Sequence, residues 1–155
     1  MPLAVIDDFE NKYHDFPLNR RLRNFWLKQQ IRLGNWNNFI VGYNDIYNPE
    51  LKCSFLQAKY NKTGDKSLLK EAENLWLVGT SQHSNCDILF KTLENTIGIS
   101  EEKVLERIEL ALEKKNHTLA NQLISRLPKA ERAILPIWVK MLETPSSVVK
   151  YSNNP

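Results

Sequence analysis

Apolar residues recur every three or four positions along almost the whole chain, and glycine or proline breaks the pattern at short intervals. Leu3, Ile6, Phe9, Tyr13 and Phe16 keep helical spacing up to Pro17, which opens the next helix. Leu18 to Leu33 carries Leu22, Phe25, Trp26, Gln29, Ile31 and Leu33 and stops at Gly34. Asn35 to Val41 reads as a short helix with Trp36 and Phe39 inward, stopped by Gly42. Asn48 is a cap with Pro49 at the first helical position, and that helix runs through Cys53, Leu56, Ala58 and Tyr60 to Gly64. Asp65 caps a helix carrying Leu68, Leu69, Ala72, Leu75 and Trp76 to Gly79. Ser84 or Asn85 starts another, with Ile88, Leu89, Leu93 and Ile97 before Gly98.

Ser100-Glu101-Glu102 then places negative charge at a helix N-terminus. The helix Glu101–Lys115 has Val104, Leu105, Ile108, Ala111 and Leu112 on one face. Asn116 or Thr118 turns the chain into Leu119–Leu127, and Pro128 begins Lys129–Leu142, which Pro136 is predicted to kink or split. Thr144-Pro145-Ser146 marks the start of a final short helix. No apolar/polar alternation bounded by hairpin turns predicts a strand. Gln30–Ile40, Lys59–Leu69 and Glu113–Ile124 each join two helices through a tight polar turn, the pattern of stacked helix pairs. The spacing is too irregular for a consensus repeat array. The expected fold is all-α, a right-handed superhelix (α-solenoid) of stacked short helix hairpins with about 9–10 helices. Residues 1–155 are expected to form a single segment of it.

Composition adds bounds. With 155 residues, 42% hydrophobic and 25% charged, the chain can bury a core of its own. No apolar run approaches the ~20 residues that span a bilayer. The start, MPLAVIDDFENKYHDF, is acidic and amphipathic, so it is not a secretory signal. If the natural protein is exported, its signal has been removed and Met1 is a cloning start. A net charge of +3, with basic residues interleaved with acids, falls short of a nucleic-acid footprint.

Candidate chemistry is sparse. His14, His83 and His117 share no metal or catalytic spacing, and no phosphate loop or nucleophile elbow is present. No cofactor and no metal are expected. Cys53 and Cys86 can be buried free thiols, a disulfide, or, with His83 and Asp87, a partial metal set that lacks a fourth good ligand. Trp26, Trp36, Trp76 and Trp138 each sit on an apolar stripe and read as core, with Trp36 the best placed for partial exposure just after a turn. Arg20, Arg21 and Arg23 read as a solvated helix face. Trp36, Arg20 and Arg23 are the candidate contacts for a glycan, an indole for stacking beside two cations for an anionic polymer.

The stretch LKCSFLQAKYNKTGDKSLLKEAENLWLVGTSQHSNCDILF, Leu51 to Phe90, sets both cysteines around a helical hairpin and ends one helix in Leu75-Trp76-Leu77-Val78-Gly79. It resembles the superhelical, non-catalytic region of the soluble lytic murein transglycosylases. Flanking segments extend the likeness from Val5 to about Leu127: Phe9-Glu10-Asn11, Arg20–Gln30, Asn35-Trp36-Asn37-Asn38-Phe39 and Leu105–Ala111. The resemblance implies a Cys53–Cys86 disulfide and a periplasmic location. It implies a scaffold that carries the catalytic domain of the same polypeptide in a ring or horseshoe and guides peptidoglycan strands. That family's catalytic acid is a Glu, usually in a Glu-Ser pair, and none of the twelve glutamates here is followed by serine. The chain is therefore expected to be a non-catalytic fragment with no catalytic residue of its own. The other expectation, from a different class, is a free-standing helical-repeat adaptor that binds a protein partner on its concave face.

Overall fold

The computed structural model describes residues 1–44 and 48–143, and every regular element among them is helical. In order these are α1 (Leu3–Lys12), α2 (Asn19–Leu33), α3 (Trp36–Gly42), α4 (Pro49–Thr63), α5 (Ser67–Trp76), α6 (Asp87–Thr96), α7 (Glu101–Glu113), α8 (His117–Ile124) and α9 (Lys129–Glu143). A 3-10 turn, Ser84–Cys86, leads into α6. Neighbours in sequence pack on one another, α1 on α2, α2 on α3, α3 on α4, then α7 on α8 and α8 on α9. The all-α class therefore agrees with the hydrophobic pattern. The helix expected from Thr144-Pro145-Ser146 lies outside the described residues.

Local chemistry sets the helix ends. Asn48, Ser100 and Asn116 accept the amide three residues on, from Leu51, Lys103 and Leu119, and so cap α4, α7 and α8. Gly34 and Gly64 close α2 and α4 in the left-handed region, at φ 72° and 67°, where a Cβ is strained. Gly42 and Gly79, expected as helix stops, serve a different purpose. Gly42 is the last residue of α3, and a Cβ on it would overlap the Trp26 ring. Helix α5 ends earlier than expected, at Trp76, and a Cβ on Gly79 in the bend beyond would overlap the Leu110 carbonyl of α7. Both glycines are there for close approach rather than for a turn. Pro136 does not split α9, which runs through it as one element. Its missing N–H frees only the Arg132 carbonyl, and both residues are exposed to water that can take its place.

The chain forms two compact units, Met1–Ala72 with His83–Lys91, and Glu73–Gln82 with Thr92 onward. The first has a core of Ile6, Trp26, Leu27, Phe39, Leu51 and Ala58, flanked by a stacked Tyr43–Phe55 pair at 4.1 Å. The second buries Trp76, Leu93, Val104, Ile108, Ala111, Leu119, Ala120, Leu123, Leu127 and Val139. Each fully buried leucine or isoleucine stabilises its unit by about 1.5–3 kcal/mol.

Several stripe assignments are corrected. Phe25, Leu33, Ile88 and Leu105 are exposed, and so are Trp36 and Trp138, at 45% and 58%. On α2 the buried face is Arg23, Trp26, Leu27 and Gln30; on α7 it is Val104, Arg107, Ile108 and Ala111. Both sets follow the i, i+3, i+4, i+7 spacing of one helix face, but each includes polar residues that an apolar pattern leaves out.

Candidate functional site

Arg23, expected on a solvated face, is buried, because α1 sets Asp7 and Glu10 at i, i+3 against it. Its Nε donates to Glu10 at 2.8 Å, its Nη2 to Glu10 at 2.6 Å and to Asp7, and its Nη1 to the Gly42 carbonyl at 2.8 Å. The hydrogen-bonded Glu10 carboxylate holds its pKa above the ordinary arginine value, against the desolvation that opposes it. All three guanidinium nitrogens are thus engaged inside the protein. Arg20 remains at the surface.

Arg107 is the residue that sequence reasoning missed. It is 6% exposed on α7 and stacks over the buried Trp76 ring, 4.6 Å from the centroid. Its Nε donates to the Val78 carbonyl at 3.1 Å and its Nη2 to that of Thr80 at 3.2 Å, while Asn116 Nδ2 takes the Gly79 carbonyl at 3.4 Å. Three successive carbonyls of the bend after α5 are therefore satisfied by side chains of the α7–α8 hairpin. Burial pushes the guanidinium down to about 10, and repulsion from Arg126 adds to this. It is still charged at neutral pH.

The two cysteines meet in a disulfide, Cys53 of α4 to Cys86 of the 3-10 turn, with Cα atoms 5.0 Å apart and both residues fully buried. Glu50, in the first turn of α4, gathers the neighbouring polar groups. Asn85 Nδ2 donates to it at 3.1 Å, Lys28 Nζ lies at 3.6 Å and His83 Nε2 at 3.9 Å. Among the described residues no group of three or more His, Cys, Asp or Glu side chains is placed to hold a metal ion.

Four partly buried glutamates are met by cations: Glu10 by Arg23, Glu50 by Lys28, Glu73 by Lys103 at 2.6 Å, and Glu94 by Arg126. Such pairs stabilise packing between helices. A groove of about 420 Å³ lies between α3 and α4 in the first unit. Trp36 forms one edge, held edge-on against the buried Phe39 ring at 6.1 Å. Across it stand Gln57, Asn61 and Lys62 from one face of α4, with Gln57 Nε2 donating to Asn61 Oδ1 at 2.8 Å. Of the three candidate contacts, only Trp36 lines this groove.

This helical arrangement is the fold found over about a quarter of two solved lytic transglycosylases. The 70 kDa soluble lytic transglycosylase of Escherichia coli superposes over 100% of this chain and 25% of its own, with a TM-score of 0.77 at 23% identity. An inactive mutant of the lytic transglycosylase Slt from Pseudomonas aeruginosa matches 96% of this chain and 24% of its own, with a TM-score of 0.80 at 30% identity. In sequence, the soluble lytic murein transglycosylases of E. coli K12 and Salmonella typhimurium are 24% and 23% identical over 97% of the chain. The likeness thus reaches beyond the Val5–Leu127 region that carries the sequence motifs. The chain spans about a quarter of the length of these curated relatives. No model of a protein family matches it.

Proposed function

We propose that this chain is a non-catalytic superhelical scaffold region of a periplasmic lytic murein transglycosylase. On this reading it acts in peptidoglycan cleavage and turnover by positioning a catalytic domain of the same polypeptide and guiding glycan strands. Residues 1–155 are then one stretch of a larger, ring-shaped right-handed superhelix. The observation that supports this most directly is the extent of the likeness: 96–100% of the chain aligns with about a quarter of such enzymes. The disulfide fits the compartment, because a bond of this kind persists where the surroundings are oxidising. No helix of the described residues is long and apolar enough to cross a membrane.

Sedimentation with purified, intact sacculi tests the reading. The oxidised chain is expected to pellet with sacculi and to release no soluble muropeptides. A chain that stays in the supernatant defeats the strand-guiding role, and release of muropeptides defeats the non-catalytic one. Capture of a specific protein partner in place of sacculi favours the free-standing adaptor.

A further inference from the structure

We infer that the groove between α3 and α4 binds N-acetylated sugar units of a glycan strand, with Trp36 as the stacking platform. The choice of polymer rests on the peptidoglycan reading above; the chemistry of the site is local. A pyranose ring is amphipathic, with a C–H face that packs on an indole and equatorial polar groups that need hydrogen-bond partners at the rim. The groove offers both. Trp36 is 45% exposed, yet its orientation is set by the edge-on contact with Phe39. An indole held in place loses little freedom on binding.

The rim is built of amides. Asn37 follows Trp36 on α3, and Gln57 and Asn61 face it from α4, one turn apart. Gln57 Nε2 and Asn61 Oδ1 already engage each other, which fixes the pair. The Asn61 amide N–H and the Asn37 amide are therefore the donor and acceptor groups that match the C=O and N–H of an acetamido group. Ile40 and the buried Ala58 supply an apolar floor for its methyl. Among the described residues lining the groove only Lys62 is charged, so a neutral polar ligand fits better than a polyanion, which needs several clustered cations. The volume, about 420 Å³, lies within the ~300–1,000 Å³ typical of ligand sites.

Trp138 provides an internal contrast. It is also exposed, but it lies beside Leu105, Leu112 and Leu135 with Glu109, Glu113, Lys115 and His117 close by, an apolar and charged setting without the amide rim. Exposure of an indole alone does not distinguish the two sites; the neighbours do.

The experiment titrates the oxidised full chain with tetra-N-acetylchitotetraose and follows the four indole N–H signals by NMR. Trp36→Ala assigns its signal, and the fully deacetylated oligomer serves as the comparison ligand. The Trp36 signal is expected to shift saturably while that of Trp138 stays still. Trp36→Ala and removal of the acetyl groups should each weaken binding by about tenfold or more. Shifts centred on Trp138, equal affinity of Trp36→Ala, or equal affinity for the deacetylated oligomer overturn the assignment. The wild-type titration needs no folded variant. Sacculi that pellet the chain while the oligosaccharide leaves Trp36 unmoved would sink this site and spare the scaffold reading. Oligosaccharide binding at Trp36 without sacculus binding would do the reverse.

Discussion

Two helices each bury an arginine on the face that packs against the protein, and the two charges are accommodated in different ways. Arg23 meets two carboxylates and a carbonyl, whereas Arg107 meets two carbonyls and the face of Trp76. Replacing Arg107 by methionine keeps much of the bulk but leaves the Val78 and Thr80 carbonyls without their donors. The expected loss is about 2–3 kcal/mol, read from denaturant midpoints. Lysine should not rescue it, since a single ammonium cannot reproduce the fork that spans two carbonyls. The pH dependence has a definite sign. Arg107 holds its proton less tightly when folded than when unfolded, so its charge opposes folding at every pH below about 10. That opposition is relieved only as pH rises from there towards the unfolded value. Between about pH 5 and 9 the cost is constant, so stability curves of the wild type and Arg107→Met should run parallel. Converging curves in that window would show that another titrating group is coupled to this site.

At the scale of elements, the segment after α5 joins the chemistry of Arg107 to backbone packing. Gly79 is needed because α7 approaches its backbone directly, at the Leu110 carbonyl. Gly79→Ala should therefore destabilise by about 1–3 kcal/mol, as overpacking does. Gly34→Ala meets no neighbour, so only its left-handed φ is strained, and it should cost about 1 kcal/mol. A larger loss at Gly34 than at Gly79, measured by urea unfolding, would contradict the close-approach account. The disulfide acts on the same scale, fastening the 3-10 turn to α4 across a sequence separation of 33 residues. Chain entropy puts its contribution at roughly 3–4 kcal/mol. The Cys53→Ala/Cys86→Ala double variant should lose stability of that order even under oxidising conditions. A midpoint that does not move would mean that packing alone fixes this contact.

For the whole molecule, exported chain analysed after alkylation without reductant should be unalkylated and lighter than the reduced form by two hydrogens. Two alkylated cysteines would remove the support that the disulfide lends to a periplasmic setting. Much of the fold was legible because helices announce themselves locally. Spacing of three and four, the Asn48-Pro49 start, the charged helix start at Ser100-Glu101-Glu102, the turn at Asn116 or Thr118 and the Gly34 and Gly64 stops depend on residues within a turn of one another. The all-α class and the order of the helices follow from these signals alone, and the likeness to soluble lytic transglycosylases was carried by motifs in the same order. Burial was less legible, because a hydrophobic pattern counts apolar residues and has no means of admitting a polar one. Arg23 and Arg107 belong inside only because Asp7 and Glu10 stand opposite the first, and Val78, Thr80 and Trp76 opposite the second. Trp36 and Trp138 share an apolar setting along the chain, yet packing leaves both exposed, and their neighbours separate an amide-rimmed groove from one edged by charged side chains. The sequence by itself determined the order of the helices and those ends that a local cap or stop marks, since these are contacts within one turn; the early end of α5 and the unbroken α9 were not among them. Which face is buried, why Gly42 and Gly79 must lack a side chain, and what stands beside each tryptophan were decided by tertiary structure, because each depends on residues far away in the chain.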